Sequence, residues 1–253
     1  MFGALRKLQR FFHPESERTL ILTLDHGASD GIIPGIDAIP ELLDSLAQTP
    51  VQGVVLNKGM ARAYTSRIEP EVNLVIQLSG GTKHGLPTYN KSLVCSVPEA
   101  LRAGADAVAV HVNIGNDLED RMLSDFGMVT DEAHQMGLPV MAVIYARGGQ
   151  IVNETDPALI GHSIRVGGEL GADLVCVPYS SDKQSFTHAV STCPVPVLVT
   201  GGPLQSDYQT FLTQMAEALS CGAAGLSIGR NIFQHPTPPE ALKALLTLVH
   251  EPI

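Results

Sequence analysis

Two glycine-bearing runs, VTGGP (199–203) and SIGRNIF (227–233), each read as a strand ending in glycine just before a helix can start. Backbone N–H groups bared at Gly201, Gly202 and Gly229 would form an anion site, and Arg230 would add a charge-assisted contact, so phosphate is the ligand chemistry they suggest. The plainer reading is that these glycines only make tight turns. LDHG (24–27) sets Asp25 beside His26. Asp25 could orient hydroxyls or move a proton, or it could cap the following turn; His26 could equally be a structural histidine. In VIYARGG (143–149) Tyr145 is a candidate proton donor or acceptor, or an aromatic lid, and Arg147 follows it toward the same end. In LNKGM (56–60) Asn57 precedes Lys58. Lys58 could bind an anion, condense with a carbonyl, or be an exposed lysine without a specific role, since such an amine must first be desolvated or set beside another cation. His111 and Asn113 alternate in AVHVNIG (109–115) and so face one way. With no i, i+4 pair to support His26 and His111, no metal site is expected.

These residues share a placement. Runs rich in Val, Ile and Leu recur at 19–25, 53–57, 73–79, 106–115, 139–145, 174–179, 195–202 and 225–230, apolar nearly throughout, as in strands covered on both faces. Helical spacing fills the gaps, in VPEALRAGA, LSDFGMVTDEAHQMG and DPALIGHSIRVGGELGA, each ending near a glycine. The run "helix, Gly-Ala-Asp, strand" occurs at 104–106 and 171–173, with the variant Gly-Ala-Ala at 222–224, which suggests one reused βα unit. Eight such units predict an α/β fold, a (β/α)8 TIM barrel in a single domain over 1–253, whose chemistry lies where strands end. An open doubly wound sheet is weakened because no strand runs into G-x-G-x-x-G. Residues 1–14 read as a short basic amphipathic helix, with Leu5, Leu8, Phe11 and Phe12 on one side, lying against the barrel bottom.

Composition excludes several partners. Of 253 residues 44% are hydrophobic and 17% charged, as in a globular chain, and the net charge of −10 with only 16 Lys plus Arg argues against nucleic acid. No apolar run is long enough for a membrane span, and the first 14 residues lack the pattern of a signal peptide. Cys95, Cys176, Cys193 and Cys221 show no metal or disulfide spacing, which points to a reducing cytoplasm and to plain buried thiols. The loop TKHGLPTYN (82–90), after the third strand, is placed to close over a ligand.

Across about residues 15 to 236 the runs SERTLILTLDHGASDGIIPG, LNKGMAR, LSGGT, GADAVAVHVNIGN, GLPVMAVIYARG, GADLVCVPYSSD, CPVPVLVTGGP and GAAGLSIGRNIFQH resemble the archaeal-type class I fructose-bisphosphate aldolases. They are closer still to the related 2-amino-3,7-dideoxy-D-threo-hept-6-ulosonate synthases. The resemblance implies an aldolase or transaldolase acting on a small phosphorylated ketose, with a partner aldehyde such as aspartate semialdehyde, no cofactor, and a homo-oligomer of decamer type. It gives Asp25 and Tyr145 catalytic roles and places phosphate at Gly201, Gly202, Gly229 and Arg230, with His26, Asn57, His111 and Arg147 as further substrate contacts.

Two departures fall on the catalytic face. Where the family carries its Schiff-base lysine on the sixth strand this chain has Cys176, and where the family has His-Lys-Gly on the second it has Asn57-Lys58-Gly59. A thiol adding to a ketone gives a neutral thiohemiacetal, which cannot draw electrons from the adjacent carbon as a protonated imine does. Three expectations remain open: another route to the C–C bond, with Lys58 as amine or Cys176 as nucleophile; a lysine-to-cysteine variant of an active aldolase; or a barrel that binds a phosphosugar without turning it over.

Overall fold

The computed structural model describes residues 2–47 and 49–251. All eight expected strands form: β1 (Thr19–Thr23), β2 (Gly53–Asn57), β3 (Asn73–Gln77), β4 (Ala107–Ile114), β5 (Val140–Ala146), β6 (Leu174–Val177), β7 (Val197–Thr200) and β8 (Gly225–Ile228). They pair in parallel in chain order, and β8 closes on β1 through the register Thr19–Gly225 to Leu22–Ile228, making a complete barrel. Outside it run α1 (Phe2–Gln9), α2 (Gly27–Asp30), α3 (Ile39–Ser45), α4 (Lys58–Tyr64), α5 (Val97–Arg102), α6 (Glu119–Gln135), α7 (Pro157–Glu169), α8 (Lys183–Ser191), α9 (Tyr208–Ser220), α10 (Arg230–Phe233) and α11 (Pro238–His250).

The reused unit has a physical meaning. Gly104, Gly171 and Gly222 take φ of +90°, +95° and +97°, the left-handed turn that ends a helix at little cost only when the residue is glycine. The following alanine N–H then bonds back to the helix, Ala105 to Ala100 O, Ala172 to Gly167 O and Ala223 to Ala218 O. The third residue starts the next strand by donating to its neighbour, Asp106 to Leu74 O, Asp173 to Val140 O and Ala224 to Val197 O, each at 2.8 Å. Where that residue is Asp, the carboxylate also accepts the neighbouring strand's first free N–H: Asp106 from Leu74 at 3.0 Å and Asp173 from Val140 at 2.8 Å. Three helix-to-strand joints thus use one solution.

Most strands are a residue or two shorter than the apolar runs, and two boundary shifts have a clear cause. The third strand stops at Gln77, because residues 79–80 leave the barrel to pair antiparallel with 92–93. The helix expected from Leu123 begins at Glu119, whose acidic first turn with Asp120 suits a helix N-terminus.

The N-terminal segment forms α1 as expected, although Met1 lies outside the described residues. Its face is corrected: Leu5 is 48% exposed, while Ala4 is buried. Phe11, just beyond the helix, is completely buried and packs with Ile21, Val55, Val75, Met141, Leu174 and Leu198, side chains of the barrel interior. The ring approaches Gly53 so closely that a Cβ there would lie 3.1 Å from it. Phe11 is therefore the plug of the barrel bottom. Phe11→Ala is expected to lower unfolding free energy by about 3–5 kcal/mol through lost transfer energy and an unfilled cavity, while Leu5→Ala changes it by less than about 0.5 kcal/mol; urea denaturation midpoints of the two variants check this.

Candidate active site

At the C-terminal ends of the strands a cavity of about 280 Å³ opens. Ten of the twelve expected site residues line it: Asp25, His26, Asn57, His111, Tyr145, Arg147, Gly201, Gly202, Gly229 and Arg230. Lys58 and Cys176 do not.

Lys58 follows Asn57 at the start of α4, and the turn from strand to helix carries it away from the mouth, where its ammonium lies 3.0 Å from Glu99 Oε2. Its neighbour Asn57 stays in the lining and donates to the Asp25 carbonyl at 2.7 Å. The lysine that the sequence left open as a carbonyl-condensing amine, an anion contact or a plain exposed side chain is thus held outside the cavity, and Asn57 holds the backbone of the aspartate. Cys176 is fully buried in the same apolar interior cluster as Phe11. Burial pushes its thiol up to about 12, against a smaller opposing effect from a hydrogen bond with Ser227. The expectation of a nucleophilic Cys176 is corrected on both counts: the thiol stays protonated and lies outside the cavity lining.

Asp25 sits just past β1. Its carboxylate accepts from Gln77 Nε2 at 3.3 Å and stands 3.6 Å from His26 Nδ1, beyond hydrogen-bond reach. Gln77 Oε1 in turn accepts from Ser79 Oγ at 3.1 Å, and Ser79 Oγ accepts the His111 N–H at 2.7 Å. A polar chain therefore runs across β4, β3 and β1 and ends on the aspartate. Gln77 and Ser79 were missed from the sequence. Their signal was polar residues recurring in a run rich in Val, Ile and Leu, at the alternate spacing that puts them on the same face as Val75.

Tyr145 ends β5 between two groups. The His111 ring stacks on it at 5.3 Å between centroids, and the Arg147 guanidinium carbon lies 4.2 Å from its ring centre. Its hydroxyl donates to Thr200 Oγ1 at 3.0 Å, and burial raises the phenol above its ordinary range, so it rests protonated and poised to donate. His111 Nε2 meets the Asn113 amide oxygen at 3.0 Å and so carries the proton there. Burial first, then Lys91 and Arg147, lower this imidazole to about 3, leaving it neutral. His26 is lowered too, chiefly by burial against the opposing pull of Asp25; its Nδ1 is buried without a partner.

The anion end is built from backbone. A Cβ on Gly229 would lie 2.5 Å from His26 Cε1 and 2.6 Å from Thr23 O, so only glycine lets β8 pass β1 here. Gly202 takes φ +64°. Fully buried Asn231, also missed from the sequence, ties the two loops together by donating to Gly201 O at 2.8 Å and Pro203 O at 3.0 Å while accepting from Gln205 N at 2.9 Å. Arg230 Nε is buried without a partner at this end. The lining carries four cations, Lys83, Lys91, Arg147 and Arg230, against the carboxylates Asp25 and Asp30, in a chain of net charge −10. That local reversal fits an anionic ligand.

Gly229→Ala is expected to weaken binding of inorganic phosphate or dihydroxyacetone phosphate by more than about tenfold in calorimetry, because the new methyl displaces the Thr23 backbone or the His26 ring. For His111 the folded value of about 3 lies below the ordinary 6.5, so the unfolded chain takes up this proton first. Stability present above about pH 6.5 is lost as pH falls toward 3, and His111→Gln is expected to flatten the fall in thermal midpoint between about pH 6.5 and 4.

Comparison with known proteins agrees with this geometry. The chain is 38% identical over 249 residues to the 2-amino-4,5-dihydroxy-6-oxo-7-(phosphonooxy)heptanoate synthase of Streptomyces griseus, spanning 98% of this chain and 91% of that protein. It is 35% identical to the 2-amino-3,7-dideoxy-D-threo-hept-6-ulosonate synthase 1 of Archaeoglobus fulgidus, spanning 99% and 92%. The crystal structure of an archaeal fructose 1,6-bisphosphate aldolase superposes with a TM-score of 0.90 at 32% identity, over 98% of this chain and 99% of that one. Another archaeal fructose-1,6-bisphosphate aldolase structure, with its catalytic Lys covalently bound to the carbinolamine intermediate of the substrate, superposes with a TM-score of 0.89 at 32% identity, over 97% and 98%. The family model for DeoC/LacD family aldolases matches residues 19–235, and with these relatives it establishes that the chain belongs to that aldolase family.

Proposed function

We propose that the cavity binds a phosphorylated ketone and makes or breaks the carbon–carbon bond beside its carbonyl, with dihydroxyacetone phosphate as the donor and aspartate semialdehyde as the partner aldehyde. The observation that carries this reading is the meeting, in one cavity, of a protonated Tyr145, a carboxylate at Asp25 and the anion end at Gly201, Gly202, Gly229 and Arg230. Phosphate held at β7 and β8 would leave the ketone and its neighbouring carbons toward Tyr145 and Asp25, where a hydroxyl proton can be given or taken.

The product named for the Streptomyces griseus relative supports the choice of substrates. It is a β-hydroxy ketone with a terminal phosphate, and cutting the bond between its two hydroxyl-bearing carbons returns dihydroxyacetone phosphate and aspartate semialdehyde. Such a ligand carries a phosphate at one end and an amino-acid carboxylate and ammonium at the other, which suits a lining that holds four cations together with the carboxylates Asp25 and Asp30. The place that the family resemblance gives to a Schiff-base lysine is Cys176, whose buried thiol supplies no imine.

Incubation with dihydroxyacetone phosphate and L-aspartate semialdehyde, followed by mass spectrometry, is expected to show the phosphorylated heptulosonate. Tyr145→Phe should lower kcat by about 10²–10⁴-fold with little change in KM for the donor. Calorimetric binding of dihydroxyacetone phosphate, with no C–C bond formed between it and the semialdehyde and none broken in fructose 1,6-bisphosphate, would instead make the chain a phosphosugar-binding barrel.

A further inference from the structure

With Cys176 buried and Lys58 on Glu99, an imine-forming active site must find its amine elsewhere. The cavity lining holds two lysines, Lys83 and Lys91. Lys83 is exposed, on the loop expected to close over the ligand, and its ammonium donates to the Asp30 carbonyl at 2.9 Å. Lys91 is half-buried, and among the described residues no carboxylate lies within 4.0 Å of its ammonium and no acceptor receives a hydrogen bond from it.

The backbone of Lys91 is fixed, in contrast to the loop tip before it. Its successors Ser92 and Leu93 pair antiparallel with Gly80 and Ser79, directly beyond β3. Its predecessor Asn90 approaches Gly81 so closely that a Cβ on the glycine would lie 2.3 Å from the Asn90 carbonyl oxygen. Arg121, from α6, donates to the Lys91 carbonyl at 2.7 Å and to Ser92 Oγ at 3.0 Å, and also holds the Asn90 side chain. In the ring of strands the β3–β4 side lies opposite the β7–β8 side. The Lys91 ammonium nevertheless acts on Asp25 and His26, groups beside the anion end, so a ligand anchored at Gly202, Gly229 and Arg230 and extended over Asp25 meets it.

We propose that Lys91, carried at the barrel mouth by the connection between β3 and β4, is the amine that forms the imine in this active site, in place of a lysine on β6. This rests on the aldolase reading above and deepens it. Burial lowers the ammonium from its ordinary range, against the opposing pull of Asp25 and then Asp30 and with a contribution from Arg147, so desolvation supplies what a nucleophilic lysine needs.

The chemistry balances. The Lys91 Nζ lone pair adds to the ketone carbon and an amine proton passes to the oxygen, giving a carbinolamine. A proton from the Tyr145 phenol then lets that oxygen leave as water, forming the protonated imine and a phenolate. In the cleavage direction the phenolate takes the proton of the β-hydroxyl and the C–C electron pair flows to the imine carbon, releasing the aldehyde and leaving an enamine. A proton from water and hydrolysis return the ketone and the free amine. Synthesis is the reverse.

The test is borohydride reduction of the protein with dihydroxyacetone phosphate, peptide mapping of the adduct, and turnover measured on the same samples. The expected result is one reduced adduct on Lys91. Lys91→Arg, which keeps the charge but cannot form the imine, should lose both adduct and turnover by more than about 100-fold while retaining calorimetric phosphate binding. Lys58→Gln should leave both unchanged. Lys91→Arg with near-normal turnover and Lys91→Met with a raised KM would make Lys91 an anion clamp and overturn the proposal. So would an adduct on another lysine. Turnover without any adduct overturns the amine at Lys91 and leaves the aldolase reading standing, whereas absent turnover with intact phosphate binding overturns both.

Discussion

Everything at this mouth depends on the seam where β8 closes onto β1, which admits no side chain at either end. A Cβ on Gly225 would lie 2.1 Å from Thr19 O, and one on Gly229 would lie 2.6 Å from Thr23 O. Two glycines four residues apart let the first and last strands approach closely enough to complete the ring. The upper one sets the bottom of the anion end and fixes the distance from Arg230 to His26 and Asp25. The closure that makes the fold and the approach that makes the site are one constraint, and a methyl at Gly229 perturbs both.

Along its axis the barrel changes chemistry in steps. Phe11 closes the bottom; Ile21, Val55, Val75, Met141, Cys176 and Leu198 fill the middle; Gln77, Tyr145, Thr200 and Ser227 begin the polar mouth. Cys176 sits in the middle region, and there a thiol behaves as a small hydrophobe. A lysine at the same place would have to carry its charge upward out of this layer, which is costly unless it arrives unprotonated or beside a partner. Cysteine makes no such demand.

How much of this was legible follows from how local each feature is. The eight strands, the Gly-Ala-Asp joints and the polar strand ends are written in nearest-neighbour terms: alternation, a left-handed glycine, a turn. Asp25, Tyr145 and Arg230 could be read in the same way. Lys58 misled because the chain turns from strand to helix between residues 57 and 58, so adjacent residues with similar prospects separate, one toward the mouth and one toward Glu99. Cys176 was legible as a position and not as a depth. Lys91 was illegible because nothing within its own neighbourhood places it; Ser79, Gly81 and Arg121 do, and the last is thirty residues away. Gln77, Ser79 and Asn231 carried a weak signal, polar groups inside apolar runs, whose partners only the closed barrel supplies.

The electrostatic arrangement ties these features together. Four cations around one opening in an acidic chain focus the field there, raising anion encounter while the rest of the surface repels it. The same cations act inward: Lys91 and Arg147 help keep His111 neutral, and Arg147 helps lower Lys91. A phosphate bound near Arg230 would offset part of this field and restore some positive charge to the groups closest to it. His26, which both Arg230 and Lys91 hold down, is the group whose protonation such a phosphate would most favour.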